Sequence, residues 1–425
     1  MSISRADAAS GQEAGGPWPV AAAQAACRAA GASHAFVGFP PPAADGTFPF
    51  AMKDMVDVAD HAPTYGLDHP PLPPPLATAP VVRHLEAAGG RLVAYTRMTP
   101  LAFDPSGANR WQGRPLNPWN PERICGGSSS GSAVAVALGA VPLALGSDTA
   151  GSLRIPAHCC GVSSWKPTRG LVPDTGTLAL APTLDTIGFL GRDAAWLDVA
   201  AAIFAPLPQL AGDRIGVALD LLEDCDADIF RTFCAAHEAL EDMGVDLSET
   251  ALAPLIQATD GAVLELLLGE SARALAGIAA AWDDPLFATR LAKGRAMADE
   301  QLNSLRTTLA DAQPLADALF AVHDAILLPA MPCITPTIAA CDPAIPGFSG
   351  RTLYRLSAFT RFANGLGLPV VTLPIGTDSN AMPVGAQLVG PRGSDRALIA
   401  LAGTIQAGTD WHRARPASSF KESIA

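Results

Sequence analysis

Three stretches of the chain hold residue types that could carry out proton transfer and nucleophilic attack. In FAMKD, Lys53 stands among Phe50, Met52, Met55 and Val56, so a strand would expose it on neither face, and lysines are seldom buried without a partner. Two readings stay open: the ammonium snorkels or pairs with Asp54 or Asp57, or it is desolvated, neutral near pH 7 and able to act as a base. The second stretch, GGSSSGS at 126–132, has the composition of a flexible linker, yet it leads straight into an apolar run. It lacks the lysine of a phosphate-binding loop and has no GxGxxG, so nucleotide binding is weakly supported. The third, GSDTAGSLRIPA at 146–157, has the small residues that permit a tight turn. Such a turn can aim successive amide N–H groups at a developing oxyanion.

The elements that would position these residues can be read from periodicity. Residues 1–16 read as a frayed tail and 17–32 as an Ala-rich helix, followed by a short strand at AFVGF, 35–39, and a turn at PPPAADG. Branched and aromatic residues flank Lys53 in FPFAMKDMVDVAD, 48–60, and the proline-rich 69–80 is a surface connection. A helix at 79–88 ends at Gly89 and Gly90, and a strand follows at 91–98. The apolar run from Ala133 to Gly146 reads as a buried helix that spaces the two serine-bearing turns. Strands are expected at 213–218 and 324–332 and as a pair at 367–376 and 382–391, with mostly helix between 226 and 325. Strands alternating with helices predict an α/β fold, a central mixed β-sheet covered on both faces by α-helices. One domain over 1–425 is favoured, with its chemistry-bearing core at about 45–200, a helical middle at about 226–325 and C-terminal strands and helix at about 324–411.

Composition narrows the partners. The chain has 425 residues, 49% hydrophobic and 16% charged, and a net charge of −13 without a basic run; nucleic acid and anionic membrane surfaces are disfavoured. Eight cysteines at 27, 125, 159, 160, 225, 234, 333 and 341 lack CxxC spacing, which fits reduced thiols in a cytoplasmic protein rather than a disulfide framework or a zinc site. No apolar stretch follows Arg5 as in a secretory leader, and Ala133–Gly146, with Pro142 inside it, is too short to span a bilayer. The eight histidines show no HExxH or other metal spacing.

FAMKD, GGSSSGSAVAVA and GSDTAGSLRIPA occur in that order, Ser128 lying 75 positions after Lys53 and Ser152 24 positions after Ser128. This combination resembles the signature block of the amidase signature family of serine hydrolases. The resemblance continues through TRMTPLAFDPSGANRWQGRPLNPWNPER, WKPTRGLVP, APTLDTIGFLGR and PVGAQLVGP, covering most of 45–200 and, more loosely, 324–405. It implies a Ser-Ser-Lys triad: Ser152 as nucleophile, Ser128 as the bridging serine after a cis peptide from Gly127, and Lys53 as base. The backbone amides of Thr149, Ala150, Gly151 and Ser152 would form the oxyanion hole. A serine hydroxyl needs a proton acceptor before it attacks an amide, and a neutral lysine supplies one through Ser128 without histidine or metal. His158, six residues after Ser152, is a poor alternative base from the same loop. Arg154 is expected to clamp neighbouring carbonyls and carboxylates, Asp148 to fix the turn, and Ser129, ahead of Ser130, to support Lys53 or the substrate. Cys125 is not expected to be a nucleophile.

The implied activity is hydrolysis of a small carboxamide through an acyl-serine, releasing ammonia or an amine and then an acid. Two other readings are an amidase-type subunit of an aminoacyl-tRNA amidotransferase, drawing ammonia from glutamine, and a hydrolase of carbamates or ureido compounds; a noncatalytic scaffold is a third. No cofactor is implied, the compact length argues against a membrane-binding cap, and a homodimer is compatible with the family. Arg97 and Pro100 stand where the family has Asn and Glu near its cleft, so substrate selection is expected to differ there, with specificity coming from roughly 226–350.

Overall fold

The computed structural model describes residues 18–42, 46–206, 212, 214–278 and 284–417; the expected tail at 1–16 and residues 43–45 of the expected turn lie outside these. Among the described residues there are eleven strands: β1 Phe36–Gly38, β2 Phe48–Lys53, β3 Gly90–Thr96, β4 Leu143–Asp148, β5 Ser163–Lys166, β6 Thr186–Gly191, β7 Ile215–Val217, β8 Leu247–Glu249, β9 Ala325–Pro329, β10 Val370–Thr377 and β11 Pro383–Val389. They form one sheet in the order β1-β3-β2-β4-β6-β5-β10-β11-β9-β7-β8. β2 is parallel to both β3 and β4, β7 is parallel to β8 and β9, and the β4–β6–β5–β10–β11–β9 run is antiparallel. The sheet is therefore mixed, as expected.

Helices flank it. Ala194–Phe204 and Asp395–Gly408 pack on each other and on β5, β6 and β10, while Ser130–Ala137 and Arg154–Cys160 pack together against β2, β4, β5, β10 and β11. The helix Ser130–Ala137 is buried on all sides, which explains the small residues of GGSSSGS. A Cβ at Gly131 would lie 2.3 Å from Ala35 O and 2.6 Å from Arg97 N. The stretch is a packing surface, with no room for a linker.

One expectation is corrected. The apolar run Ala133–Gly146 is not one helix: it stops at Ala137, Gly139 takes φ +67°, and after Pro142 the chain enters β4. Proline has no N–H to continue a helix, and Leu143–Leu145 find their backbone partners in Phe50–Met52 instead. The helical middle also contains a strand, the short edge β8, which joins β7 in parallel after the helix Ala227–Asp242 has ended. Apolar periodicity alone does not register so short and exposed an edge. Among the described residues, no helix is long and apolar enough to cross a membrane.

Candidate active site

Lys53 is the last residue of β2, and β4 lies parallel beside it with Met52 opposite Leu145. Parallel neighbours deliver their C-terminal ends to one sheet edge, where open α/β sheets hold their ligands. Lys53 thus meets Ser147 at the end of β4: its Nζ donates to Ser147 Oγ at 2.8 Å and to Ser128 Oγ at 2.7 Å. The side chain is 0% exposed, and burial pushes its pKa from 10.5 down to about 7, against the raising influence of Asp148 and Asp185. Neither sequence neighbour pairs with it. Asp54 instead accepts from Thr64 N at 2.9 Å and lies 2.7 Å from His61 Nε2, so of the two readings the desolvated lysine is the one found.

Ser128 follows a cis peptide from Gly127 at the entrance to the helix Ser130–Ala137. The two serine-bearing turns are joined through the backbone, Ser129 N donating to Ser152 O at 3.2 Å. Ser152 is half-buried and, among the described residues, its Oγ makes no hydrogen bond to protein. Ser129 does not reach Lys53. Its hydroxyl donates to Ser147 O at 3.1 Å and accepts from Ser147 N at 3.3 Å, so it braces the residue that receives the lysine. Ser130 Oγ is buried without a partner.

Asp148 organises the turn before Ser152. It accepts from Gly151 N at 2.8 Å and Leu153 N at 3.0 Å, and from Arg154 Nε at 3.0 Å and Nη2 at 2.8 Å. Burial alone would raise this carboxyl; the charge and hydrogen bonds of Arg154, together with Lys166 and the Leu153 amide, outweigh it and hold the group well below the usual carboxylate range. Arg154, 0% exposed, spends its remaining donors on Thr360 O at 2.8 Å, Gln387 Oε1 at 3.1 Å and Asn364 Oδ1 at 2.5 Å. Its guanidinium thus ties the turn to three residues remote in sequence. Of the four amides expected to face an oxyanion, that of Gly151 donates to Asp148. The amides of Thr149, Ala150 and Ser152 have no protein acceptor among the described residues. Thr149 is held from the far side by Oγ1 donating to Asp185 Oδ1 at 2.6 Å.

A cavity of about 220 Å³ opens beside Ser147 and Thr149, walled by Met55, Ala102, Leu178, Leu180 and Ile187 with Asp185. No residue of 226–350 lines it. The helices Ala253–Ala274 and Asp299–Val322 sit one layer out, packing Val263, Leu266 and Leu309 beneath Ala181 and Leu184 of the lining loop. The 174–187 loop thus lies between these helices and the cavity. Pro100 lines a separate cavity of about 260 Å³ with Phe103, and Arg97 lines neither. Ala102, two residues on, faces the first cavity at φ +60°, next to Leu101 at +51°; such left-handed backbone costs roughly 1–3 kcal/mol per non-glycine residue and is retained only where packing enforces it.

Two other residues weighed from sequence are inert. His158 Nδ1 accepts from Gly385 N at 3.1 Å, and burial lowers its pKa to about 4, which ties the ring to β11 and away from Ser152. Cys125 is buried, its Sγ donating to Pro115 O at 3.4 Å, and burial pushes the thiol up to about 12. Among the described residues, no group of three or more His, Cys, Asp or Glu could hold a metal ion. Sequence reasoning missed Ser147, Asp185, Thr360, Asn364 and Gln387. The first two lie inside GSDTAGS and APTLDTIGF, where their nearness to the motif could have flagged them; the last three carry no local signal.

Comparison with known proteins agrees with this arrangement. The family model for Amidase matches residues 18–399. The chain is 32% identical over 390 residues to a subunit of the Glutamyl-tRNA(Gln) amidotransferase of Neisseria meningitidis, covering 80% of this chain and 79% of that protein. It is 30% identical over 382 residues to the 2-amino-5-chloromuconic acid deaminase of Comamonas testosteroni, covering 84% and 81%. A crystal structure of an amidase superposes with a TM-score of 0.81 at 28% identity, over 91% of this chain and 95% of that one. The chain therefore belongs to the amidase signature family and is a hydrolase of carbon–nitrogen bonds.

Proposed function

We propose that the chain hydrolyses a small, uncharged carboxamide through an acyl-Ser152 intermediate, with Ser128 and Lys53 relaying the proton. The observation that carries this reading is the 2.7 Å contact between Ser128 Oγ and the fully buried Lys53 Nζ, whose pKa lies near 7. A lysine neutral at working pH can take the Ser128 proton while Ser128 takes that of Ser152; a base of this pKa is well matched to neutral conditions. Ser152 Oγ must turn to meet Ser128 for this step, as catalytic hydrogen bonds often tighten only with substrate bound. Ser152 Oγ then bonds to the carbonyl carbon, and the oxyanion is received by the amides of Thr149, Ala150 and Ser152. The proton returns through Ser128 to the leaving nitrogen as the C–N bond breaks, and water hydrolyses the ester by the same relay.

The cavity supports the substrate class. At about 220 Å³ it falls below the roughly 300–1,000 Å³ of drug-sized ligand sites. Its charged lining residues are Asp174 and Asp185, with no cation among them, so an amide bearing a carboxylate, glutamine included, would meet like charge. A panel of aliphatic and aryl amides, glutamine, ureido compounds and esters tests this by kcat/KM with the isolated chain. Neutral amides should lead the panel, and a fluorophosphonate should label Ser152 and no other serine. Wild-type turnover by Ser152→Ala, or labelling elsewhere, would overturn the mechanism; preference for glutamine would overturn the substrate class.

A further inference from the structure

We propose that the groove between Arg169, Arg306 and Arg392 is a binding site for a small organic polyanion, separate from the catalytic cavity. The groove encloses about 470 Å³ and is lined by those three arginines with Thr183, Leu309 and Gln313. None of its lining residues is shared with the cavity beside Ser147. Three guanidiniums on one groove is unusual in a chain of net charge −13, and the fold brings two of them together by construction. Gly393 N donates to Thr168 Oγ1 at 2.9 Å, and Thr168 N and Oγ1 donate to Asp395 Oδ1 and Oδ2 at 2.8 and 2.6 Å. These bonds pin the loop that follows β11 to the loop that follows β5, so Arg392 is held beside Arg169.

Structural duty accounts for only part of this charge. Arg169 donates through Nη1 to Thr183 O and to Asn364 O, the latter at 3.2 Å, and its Nε and Nη2 have no hydrogen bond among the described residues. Arg306 pairs with Glu270 at 2.7 Å and bonds Asn303 Oδ1 at 2.9 Å. Arg392 is exposed and has neither an ion pair nor a hydrogen bond among the described residues. Of the nearby carboxylates, Asp395 is 1% exposed and already occupied by Thr168 and Trp165, while Glu270 also serves Thr183 N and Oγ1. Burial and the Arg392 charge both disfavour the charged form of Arg169, against the pull of Glu270. An anion seated between them would relieve that repulsion.

Guanidiniums bind phosphate and carboxylate oxygens in pairs, which suits either chemistry. The volume exceeds that of a lone oxyanion, and Leu309, Ala310 and Leu366 give an apolar wall for a carbon skeleton. The ligand class is therefore an organic molecule bearing two or more phosphate or carboxylate groups. Titration calorimetry of the full chain with citrate and, separately, fructose 1,6-bisphosphate, at constant ionic strength, tests the proposal. Saturable binding of either probe supports it, and the tighter probe identifies the preferred anion. Arg392→Glu, a surface change that should leave the melting temperature and amide hydrolysis unaltered, is expected to weaken binding at least about tenfold; Arg306→Gln should weaken it in the same sense. Absence of binding by both probes, or equal affinity in wild type and Arg392→Glu, would overturn it.

Discussion

Ser147 Oγ accepts a hydrogen bond from Lys53 Nζ at 2.8 Å although the two are 94 positions apart in the chain. The parallel register of β2 and β4 makes this meeting a consequence of the sheet, and it leaves the lysine held by two neutral hydroxyls rather than by a carboxylate. An ion-pair partner would have kept the ammonium charged. Two serines orient the amine without that penalty on its neutral form.

Amide turnover should rise with pH through about 7, the value to which burial lowers Lys53, and level off above it, because only the neutral amine accepts a proton. Lys53→Met should cut kcat by at least about 10³-fold, as loss of a member of a catalytic triad commonly does, with circular dichroism unchanged. A chemistry-limited rate that stays flat from pH 5 to 9 would count against the lysine as base.

Ser147→Ala should lower kcat roughly tenfold, about 1.4 kcal/mol, by removing one of the two acceptors that aim Nζ at Ser128. Because Ser129 also braces Ser147 through the backbone, the alanine keeps the strand in place and the melting temperature should stay within a few degrees. Steady-state kinetics beside a thermal melt checks this; an unaltered kcat would remove Ser147 from the site.

Arg154→Met should cost about 3–5 kcal/mol, since it strands the buried Asp148 carboxylate, and Arg154→Lys should recover little because an ammonium cannot span the same acceptors. Asp148 is depressed in the folded state relative to the 3.8 of an unperturbed aspartate. Its contribution is therefore complete above about pH 4 and lost as pH falls below that. Urea denaturation of both variants at pH 7 and of wild type down to pH 3 reads each part.

Lys166, fully buried with Nζ donating to Pro167 O at 2.9 Å, is pushed by burial from 10.5 to about 7. Between those values the unfolded chain binds a proton that the folded chain does not, so stability rises with pH across the window. Lys53 adds a rise of the same sign. Lys166→Met should flatten the increase in unfolding free energy between pH 7 and 10 and leave the pH dependence of turnover unchanged; an unaltered stability slope would contradict the burial argument.

The elements of the site were legible where local pattern suffices. β3 and the β10–β11 pair fall close to where apolar pattern and turn residues placed them, because strand pattern and turn chemistry act over a few residues. The apolar run after Ser132 misled, since Gly139 and Pro142 divide it into a helix and a strand, and only pairing with β2 reveals the second half as sheet. The layering around the cavity was not legible for a related reason: residue composition does not tell which of two layers, the 174–187 loop or the helices behind it, faces it.

The family resemblance borne by FAMKD, GGSSSGS and GSDTAGS at their spacing was enough to point to Lys53, Ser128 and Ser152 and the chemistry they would suit, because a motif is a local arrangement of side chains. Packing decided the rest. Asn364 and Gln387 reach Arg154 from more than 200 positions away, Asp148 claims the Gly151 amide, and the ionisation of Lys53 follows from the exclusion of water on all sides. These depend on distances between segments remote in sequence and on the collective loss of solvent, which exist only once the chain has folded.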